Sequence, residues 1–419
     1  MKKAGPARRK TTSPAYDVCI IGGAGHVGLP LGVSFALAGM RTVLFDINKK
    51  SLALINKGKF PFKEKGGDVA LRRALKSKLL STTATSAAVI AKSKVVVLII
   101  GTPVDEFHNP QFGALDKIIE KYLPYFRDGQ VLMLRSTVFP GTSERLQKFF
   151  TKHKLAVGVS FCPERIVEGK ALEELAVMPQ IISAFDKGTL AQMRELFSRV
   201  SKGGVVTATP LEAELSKLFS NAWRYIKFAV ANQFYTMATS QGVDYARLYK
   251  TMTDRYDRNR DLPRPGFAAG PCLFKDTMQL SAYSQNQFFL GHAAMLVNEG
   301  LPQFVLEHIK HKLCSNNLHE MTIGILGMAF KAESDDKRDS LSYKLRKLAK
   351  LEAKEVYMHD YYIKDDSFTT LDALLRKSDI IIVAAPHARY ADIPKEKLKG
   401  KIIVDMWNHV PHTKQAAEL

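Results

Sequence analysis

The sequence predicts an α/β protein in which two doubly wound parallel-sheet domains are joined by a helical middle domain with one long central helix. Patterns of buried strands and helices alternate over about the first 200 residues, and the alternation resumes in the last hundred. Between them, a proline-free helical pattern runs from Leu211 to about Gln241. Alternating strands and helices build a parallel sheet covered on both faces. We therefore expect a disordered basic tail at 1–14, a sheet domain at 15–204, a helical domain at 205–315 and a second sheet domain at 316–419.

The composition is that of a globular protein with a strong positive charge. Of 419 residues, 46% are hydrophobic and 24% are charged, and the net charge is +20. The chain has no apolar run of roughly eighteen residues, so we expect no membrane span. The lysines and arginines are scattered and form no basic block interleaved with aromatic residues. This pattern argues against a nucleic-acid partner and favours anionic small ligands, which a positive field attracts.

The four cysteines are widely spaced, and they are Cys19, Cys162, Cys272 and Cys314. Because no pair has the C-x-x-C spacing of a metal or redox motif, we predict no bound metal. Free cysteines of this kind favour the reducing cytoplasm as the location of the protein.

The first sheet domain begins with a strand, a glycine loop, a helix and a second strand. The apolar run from Val18 to Ile21 predicts the first strand, a helical pattern covers Val27 to Leu37, and Thr42 to Phe45 predict the second strand. Four further segments have the apolar composition of buried strands, and they are 95–100, 131–134, 157–161 and 181–184. This order is typical of a Rossmann-like sheet.

The loop from Gly23 to Gly28 has the pattern G-x-G-x-x-G between a strand and a helix. In that context, the first glycine permits a tight turn, the second lets the backbone approach a pyrophosphate, and the third lets the helix pack against the strand. Asp46 ends the second strand, where a carboxylate can accept the ribose hydroxyls of NAD and repel the extra phosphate of NADP. The alternative role for Asp46 is an Asx turn. We predict NAD as the cofactor, with contacts from Gly23, Ala24, Gly25, His26, Val27, Gly28 and Asp46.

Two polar segments follow later strands of the same domain. Ligands of open α/β sheets bind in the crevice outside the carboxyl ends of the strands. We therefore expect further cofactor contacts from Gly101, Thr102, Pro103, Ser136 and Thr137.

Three segments contain side chains that are suited to oxidising an alcohol to an acid. Cys272 lies in a loop rich in glycine, alanine and proline, with Lys275 and Asp276 close behind it. A nearby ammonium favours the thiolate, and a cysteine can trap an aldehyde and hold it as a thioester during a second oxidation. The other segments contain Lys217 with Asn221, one helical turn apart, and Glu164 with Arg165 and Glu168 after a strand. Each of these residues taken alone also has an ordinary structural explanation.

From Tyr16 to about Val410, the chain resembles the UDP-glucose/GDP-mannose (nucleotide-sugar) 6-dehydrogenase family. The matching motifs occur in order: GLPL after the glycine loop, GTP at 101, STV-x-PGT at 136, PER-x-x-EG at 163, E-x-x-K-x-x-x-N at 214, PGF-x-x-x-x-C-x-x-KD at 265, and G-x-AFK-x-x-x-DD-x-R at 327. Relatives often carry tyrosine at the position of His26, which we expect to be a packing or loop residue. Relatives also often carry Gly-Gly or Gly-Ser before the cysteine, where this chain has the segment 268–271.

The resemblance implies a role for each matching residue. The implied catalytic residues are Cys272 as nucleophile, Lys217 stabilising an oxyanion, Asp276 activating water, Glu164 in acid/base chemistry, Asn221 holding substrate or water, and Thr137 orienting the reacting groups. The implied substrate contacts are Glu164, Arg165, Glu168, Lys217, Asn221, Gly266, Phe267, Phe330, Lys331 and an arginine before PGF, either Arg258 or Arg260. The implied additional cofactor contacts are Glu168, Lys275 and Arg338. The long central helix would form the interface of a homodimer or higher oligomer.

Three functions are compatible with these residues. The first is the NAD-dependent, four-electron oxidation of the C6 alcohol of a UDP-hexose or UDP-N-acetylhexosamine to a uronic acid. The second is a two-electron 3-hydroxyacid dehydrogenase, which needs neither a cysteine nucleophile nor a second Rossmann-like domain. The third is a non-catalytic nucleotide-binding scaffold. The presence of Cys272, Lys217 and Asp276 favours the first, and the sugar remains open among gluco, N-acetylgluco, N-acetylmanno and N-acetylgalacto forms and GDP-mannose.

Overall fold

The computed structural model describes residues 14–101, 112–267, 270, 272–313, 317–411 and 417–418. This part of the chain forms two compact units that divide after Phe219. The predicted α/β class with parallel sheets and a helical middle region is confirmed. The tail expected at 1–14 lies almost wholly outside the described residues, and the division into three domains stays a prediction.

A six-stranded sheet forms the centre of the first unit. Its strands are β1 (Tyr16–Ile21), β2 (Thr42–Phe45), β3 (Leu80–Thr83), β4 (Ser93–Leu98), β5 (Val131–Leu134) and β6 (Gly158–Phe161). All neighbours are parallel, in the order β3-β2-β1-β4-β5-β6. The order changes direction between β1 and β4, and ligands of such sheets bind beyond the strand ends at that point.

Both faces of this sheet are buried. Val18 and Ile20 pack into one hydrophobic cluster, whereas Cys19 and Ile21 pack into another. Successive residues of a strand point to opposite faces, so a strand covered on both sides must be continuously apolar. The covering helices of the first unit are α1 (Gly28–Leu37), α2 (Lys49–Asn56), α3 (Gly67–Lys76), α4 (Ala88–Ala91), α5 (Phe112–Tyr122), α6 (Thr142–Lys152), α7 (Ala171–Val177) and α8 (Lys187–Ser198).

The strand predicted at 181–184 does not join the main sheet. It forms β7 (Gln180–Ser183) and pairs in parallel with β8 (Val205–Ala208) in a separate two-stranded sheet. The sequence pattern did not predict β8, because Val206 and Thr207 at its centre are exposed. Strand β3 was missed for a related reason, since Ser81, Thr82 and Thr83 are only half-buried and polar.

The helical region contains the long helix α9 (Pro210–Ser240), as predicted, followed by α10 (Tyr245–Thr253), α11 (Leu273–Tyr283) and α12 (Phe289–Lys312). The segment from Lys275 to Lys312 is therefore divided between two helices. Gln285 and Asn286 separate them, with φ angles of 54° and 61° that a right-handed helix does not permit.

A five-stranded sheet forms the core of the last hundred residues. Its strands are β9 (Thr322–Leu326), β10 (Glu355–His359), β11 (Ile380–Val383), β12 (Ile402–Val404) and β13 (Ala417–Glu418), parallel in the order β10-β9-β11-β12-β13. Helices α13 (Leu341–Glu352) and α14 (Leu371–Lys377) accompany it. Ile380 and Ile382 pack on one face, and Ile381 and Val383 pack on the other, as in the first sheet.

Short 3₁₀ turns occur at Leu123–Tyr125, Asp257–Asn259, Asn317–Glu320, Ala388–Asp392 and Lys395–Lys397. Among the described residues, no helix is both long enough and apolar enough to span a membrane.

Candidate active site

The glycine loop after β1 is shaped by close backbone contacts. A Cβ at Gly22, whose φ is +80°, would lie 1.7 Å from the carbonyl oxygen of Ile99, and a Cβ at Gly28 would lie 2.4 Å from the carbonyl oxygen of Gly22. At Gly25, by contrast, the nearest atom would be 3.8 Å away. The loop is therefore packed where it turns and open at Gly25, which fits a diphosphate at the start of α1. Sequence analysis had not singled out Gly22.

Asp46 is tied to the same loop. Its Oδ2 accepts a hydrogen bond from the N–H of Ala24 at 2.9 Å, and its Oδ1 accepts one from the N–H of Asn48 at 2.9 Å. The second bond is the Asx turn that was considered as the alternative role. Each carboxylate oxygen can accept a further hydrogen bond, so this geometry also remains compatible with a ribose. His26 stacks on Phe62, with ring centroids 4.0 Å apart.

The predicted contacts at the ends of β4 and β5 are only partly described. The hydroxyl of Ser136 accepts a hydrogen bond from the N–H of Ile100 at 2.8 Å and so joins the two strand ends. Thr137 beside it is half-buried, and Gly101 is exposed. Thr102 and Pro103 lie outside the described residues.

Glu164 takes part in a buried ion pair that sequence analysis missed. Its partner Arg135 is fully buried at the end of β5 and donates to Oε2 of Glu164 from Nε at 3.0 Å and from Nη2 at 2.7 Å. Oε1 of Glu164 accepts from the N–H groups of Arg165 and Ile166 at 2.7 and 3.0 Å. The four hydrogen bonds described for this carboxylate all come from protein donors. In the sequence, the sign of this ion pair was an arginine directly after a wholly apolar strand pattern.

The neighbours of Glu164 extend this network. Arg135 also donates to the carbonyl oxygen of Cys162 at 3.1 Å and to Oε1 of Gln180 at 2.9 Å. The guanidinium of Arg165 donates to the carbonyl oxygen of Pro179, and burial lowers the pKa of Arg165 below its usual value. Glu168, in the same loop, is half-buried.

The first turns of α9 combine a structural acid with a candidate catalytic lysine. Glu214 is buried and accepts from the N–H groups of Gly141 and Ser143 at 2.6 and 2.8 Å, so it caps the start of α6. Burial raises the pKa of Glu214. Lys217, one turn later, is half-buried, and within the described residues it has no hydrogen bond or ion pair with a protein group.

Cys272 immediately precedes α11 and is exposed, whereas Cys19 and Cys162 are buried. Burial raises the pKa of Cys19 to about 12. In the first turn of α11, Asp276 is fully buried and accepts from the side-chain amide of Asn221 at 2.6 Å. The ammonium of Lys275 lies 3.5 Å from Oδ1 of Asp276. The structure therefore brings four of the predicted residues together.

The loop before the cysteine is fixed to the central helix. The side chain of Asn232 donates to the carbonyl oxygen of Gly266 at 3.1 Å and accepts from its N–H at 2.8 Å. Gly266 has a φ of +152°, and a Cβ there would lie 2.1 Å from the ring of Trp407. Phe267 is buried in the core. Sequence analysis missed Asn232, whose amide satisfies both backbone groups of a glycine that no other residue could replace.

The remaining predicted contacts of the second unit are more exposed. Arg258 and Arg260 lie on the surface around the Asp257–Asn259 turn. A Cβ at Gly270 would lie 2.5 Å from the ring of Phe330, so Phe330 packs against the loop that leads to the cysteine. The ammonium of Lys331 lies 5.5 Å from the Phe330 ring centroid. Arg338 is half-exposed and pairs with Asp336, with Nε 2.9 Å from Oδ2.

Asp360 occupies the position in the second sheet that corresponds to Asp46 in the first. It follows β10 and accepts from the N–H groups of Met328 and Ala329, which follow β9, at 2.7 and 3.0 Å. It also accepts from Tyr362, Ile363 and the imidazole of His387. Burial raises the pKa of Asp360, but these hydrogen bonds outweigh it and lower the value to about 2. Protein donors therefore saturate Asp360, whereas each oxygen of Asp46 retains capacity for a further hydrogen bond.

An open glycine loop at the switch point of a parallel sheet, with an acid after the second strand, defines a dinucleotide-binding dehydrogenase. The family models make the assignment specific. Residues 16–201 match the NAD binding domain, residues 211–299 the central domain, and residues 324–412 the UDP binding domain of the UDP-glucose/GDP-mannose dehydrogenase family. The chain belongs to this family of oxidoreductases, and the predictions of the family and of NAD as cofactor are confirmed.

Curated relatives and solved structures match nearly the whole chain. The UDP-N-acetyl-D-mannosamine dehydrogenase of Methanocaldococcus jannaschii is 28% identical, over 93% of this chain and 92% of its own. The structure of UDP-D-ManNAc dehydrogenase from Pyrococcus horikoshii is 25% identical with a TM-score of 0.87, covering 96% of this chain and 98% of its own. A UDP-glucose dehydrogenase from Pyrobaculum islandicum is 26% identical with a TM-score of 0.85, covering 98% and 97%.

Proposed function

We propose that this protein oxidises the C6 primary alcohol of a UDP-hexose or UDP-N-acetylhexosamine to a carboxylate, with Cys272 as the covalent nucleophile. One observation carries the proposal. Cys272 is exposed at the start of α11, and the next turn of this helix carries Lys275 and Asp276, whose buried carboxylate accepts a hydrogen bond from Asn221. A two-electron alcohol dehydrogenase has no use for such a cysteine.

The proposed chemistry removes four electrons in two stages. NAD, held by the glycine loop and Asp46, would accept a hydride in each oxidation. The first oxidation turns the alcohol into an aldehyde with loss of a proton. The Cys272 sulfur then adds to the aldehyde carbon to form a thiohemiacetal, whose oxidation gives a thioester. Water adds to the thioester, the carbon–sulfur bond breaks, and the carboxylate and the free thiol are released.

The chain's own residues would each supply one of the conditions for these steps. The N-terminus of α11 and the cationic side chain of Lys275, three residues further on, would favour a thiolate at Cys272. Asp276 would take a proton from the attacking water, and Asn221 would orient that carboxylate through the 2.6 Å hydrogen bond. Lys217 would stabilise the oxyanion of the thiohemiacetal, because it is a cation that no described protein group neutralises.

The carboxylate of Glu164 serves a different purpose in this proposal. Its two oxygens accept four hydrogen bonds from Arg135, Arg165 and Ile166. Hydrogen bonds from protein donors therefore occupy both oxygens of this carboxylate. We therefore propose that Glu164 shapes the 163–166 loop, rather than acting in the acid/base chemistry that the family resemblance implies.

The substrate class follows from the UDP binding domain match over residues 324–412. Phe330 and Lys331 lie in that segment, and we propose them as substrate contacts, along with Arg258 or Arg260. Relatives named for UDP-N-acetyl-D-mannosamine and UDP-glucose make these two sugars the first to test. Cys19 and Cys162 are buried thiols outside any disulfide, which supports a location in the reducing cytoplasm.

The decisive experiment is the stoichiometry of NADH. The protein is incubated with NAD and a panel of UDP-sugars and GDP-mannose, and NADH is counted by absorbance per sugar consumed. Two NADH per sugar, with none in Cys272→Ala, are expected. One NADH per sugar would show release of the aldehyde and end the thioester proposal. No turnover despite NAD binding would favour the hydroxyacid dehydrogenase or the scaffold.

A labelling experiment tests the cysteine independently of the substrate. Iodoacetamide should alkylate Cys272 and leave Cys19 and Cys162 unmodified, because both of these are buried. Peptide mass spectrometry identifies the modified residue. Modification of Cys19 at the rate of Cys272 would contradict the exposure on which the proposal rests.

We further propose that the protein forms a homodimer through α9. Apart from Leu211 near its start, the large apolar side chains exposed on this helix are Phe219 by 54%, Trp223 by 56%, Val230 by 40%, Phe234 by 39% and Met237 by 60%. At about 100° per residue they fall within about 60° of one another around the helix. A continuous exposed apolar stripe of this kind marks a protein interface, and a second copy of the same helix is its simplest partner.

A further inference from the structure

The loop that follows β9 is anchored at both ends by buried polar groups. At its start, the N–H groups of Met328 and Ala329 donate to Oδ2 of Asp360 at 2.7 and 3.0 Å. At its end, the N–H of Glu333 donates to Nδ1 of His387 at 2.9 Å. Phe330 and Lys331 lie between these anchors. We call residues 328–333 the anchored loop.

One imidazole connects the two anchors. His387 is fully buried, and its Nε2 lies 3.0 Å from Oδ2 of Asp360, the atom that holds Met328 and Ala329. The N–H of Glu333 can only donate, so Nδ1 must be the accepting nitrogen, and the ring proton must lie on Nε2. The two nitrogens of the ring therefore have different roles: Nδ1 faces the Glu333 backbone and Nε2 faces Asp360.

The end of the loop that His387 holds is under backbone strain. Glu333 has a φ of +57°, in the left-handed region that side chains other than glycine rarely adopt. Its carboxylate accepts from the N–H of Ala388 at 2.9 Å and from the hydroxyl of Tyr362. A strained residue keeps its conformation only while its surroundings impose it, so loss of the bond to His387 should let this end relax.

We propose that His387 is a positioning residue, which sets the conformation of the anchored loop and thereby the affinity of the second unit for a uridine nucleotide. It acts through the Glu333 backbone rather than by touching the ligand. The proposal rests on the proposed function in one respect, the contact of Phe330 and Lys331 with the substrate.

Two substitutions separate the two hydrogen bonds of the ring. In His387→Asn, the amide oxygen can replace Nδ1 as acceptor for Glu333 while the bond to Asp360 is lost. In His387→Gln, the amide N–H can replace Nε2 as donor to Asp360 while the bond to Glu333 is lost. Asp360 retains four backbone donors in either case. Only the glutamine variant should therefore release the loop. His319→Gln, at an exposed turn of the same unit, is the matched control.

Hydrogen exchange and UDP titration then give separate answers. In the full-length protein without ligand, the Glu333 amide should exchange at least tenfold faster in His387→Gln than in the wild type or His387→Asn. UDP, titrated by calorimetry, should bind His387→Gln about fivefold to tenfold more weakly, as expected for one lost hydrogen bond. With the substrate that the NADH assay identifies, KM should rise by a similar factor while kcat changes less than twofold.

The outcomes distinguish this proposal from the proposed function. Equal UDP affinity in His387→Gln and the wild type, or equal losses in the asparagine and glutamine variants, would overturn the positioning role. The second result would mean that the ring only fills space. Failure of the wild type to bind UDP at all, with the exchange pattern still as expected, would instead count against the substrate class.

Discussion

Replacing Arg135 by methionine should destabilise the first unit strongly, because it leaves the buried carboxylate of Glu164 without its ion-pair partner. Arg135 is fully buried and supplies two hydrogen bonds to Glu164, which is itself only 7% exposed. Breaking a buried ion pair by removing one partner costs roughly 3–5 kcal/mol. The two backbone N–H groups that remain on Glu164 place the expected cost near the lower end, about 3 kcal/mol. Methionine retains much of the side-chain volume, so a cavity adds little.

Differential scanning calorimetry measures this effect directly. For a unit of this size, 1 kcal/mol corresponds to about 2–4 °C in Tm, so Arg135→Met should lower Tm by about 6–12 °C. The double variant Arg135→Met/Glu164→Gln buries no unpaired charge and should recover part of that loss. A Tm change in Arg135→Met of less than about 2 °C, or strictly additive effects in the double variant, would refute the energetic coupling of Arg135 and Glu164.

Three further perturbations test other parts of the structure. The pKa of Asp360 falls from 3.8 in the unfolded chain to about 2. The ionised carboxylate therefore stabilises the fold by about 2 kcal/mol above pH 4, and this stabilisation is lost as the pH falls towards 2. In Asp360→Asn, the urea midpoint of unfolding should depend less on pH in this range, and an unchanged slope would contradict the lowered pKa of Asp360. Gly25→Ala should leave Tm unchanged and weaken NAD binding at least tenfold, whereas Gly28→Ala should lower Tm, because a Cβ meets protein only at Gly28; similar behaviour of the two variants would argue against the open face at Gly25. Trp223→Lys or Met237→Lys should convert dimer to monomer in sedimentation velocity, and a wild type that sediments as a monomer would refute the α9 interface.

Much of the fold was predictable, because buried parallel strands have a strong sequence signal. Strands such as β1 and β11 are apolar on both faces, and each appears in the chain as a short continuous hydrophobic run. The helix Pro210–Ser240 was recognisable from its length and its lack of internal proline. Strands β3 and β8 were missed because their residues are polar or exposed. Their pairing depends on backbone hydrogen bonds to a neighbour, and these leave no mark on side-chain composition.

The candidate site was predictable where a residue type is itself the chemical requirement. The glycine motif, Asp46 and the cysteine with its following lysine and aspartate could all be selected in this way. Arg135, Asn232, Asp360 and His387 could not, because each acts on atoms between 27 and 54 positions away in the chain. Their role is to form hydrogen bonds with buried polar groups. Which polar groups become buried together is known only once the chain has folded.

The sequence by itself determined the class of this protein, its family and its cofactor, because ordered motifs encode local geometry: a glycine turn, a helix start, an acid after a strand. Only the tertiary structure decided what each charged side chain is able to do. Asp46 and Asp360 follow equivalent strands, yet protein donors saturate one and leave acceptor capacity on the other. Glu164 belongs to a motif that suggests proton transfer, and only the folded chain shows that a buried arginine donates to its carboxylate. The reason is that a carboxylate's chemistry depends on which donors surround it, and those donors come from distant parts of the chain.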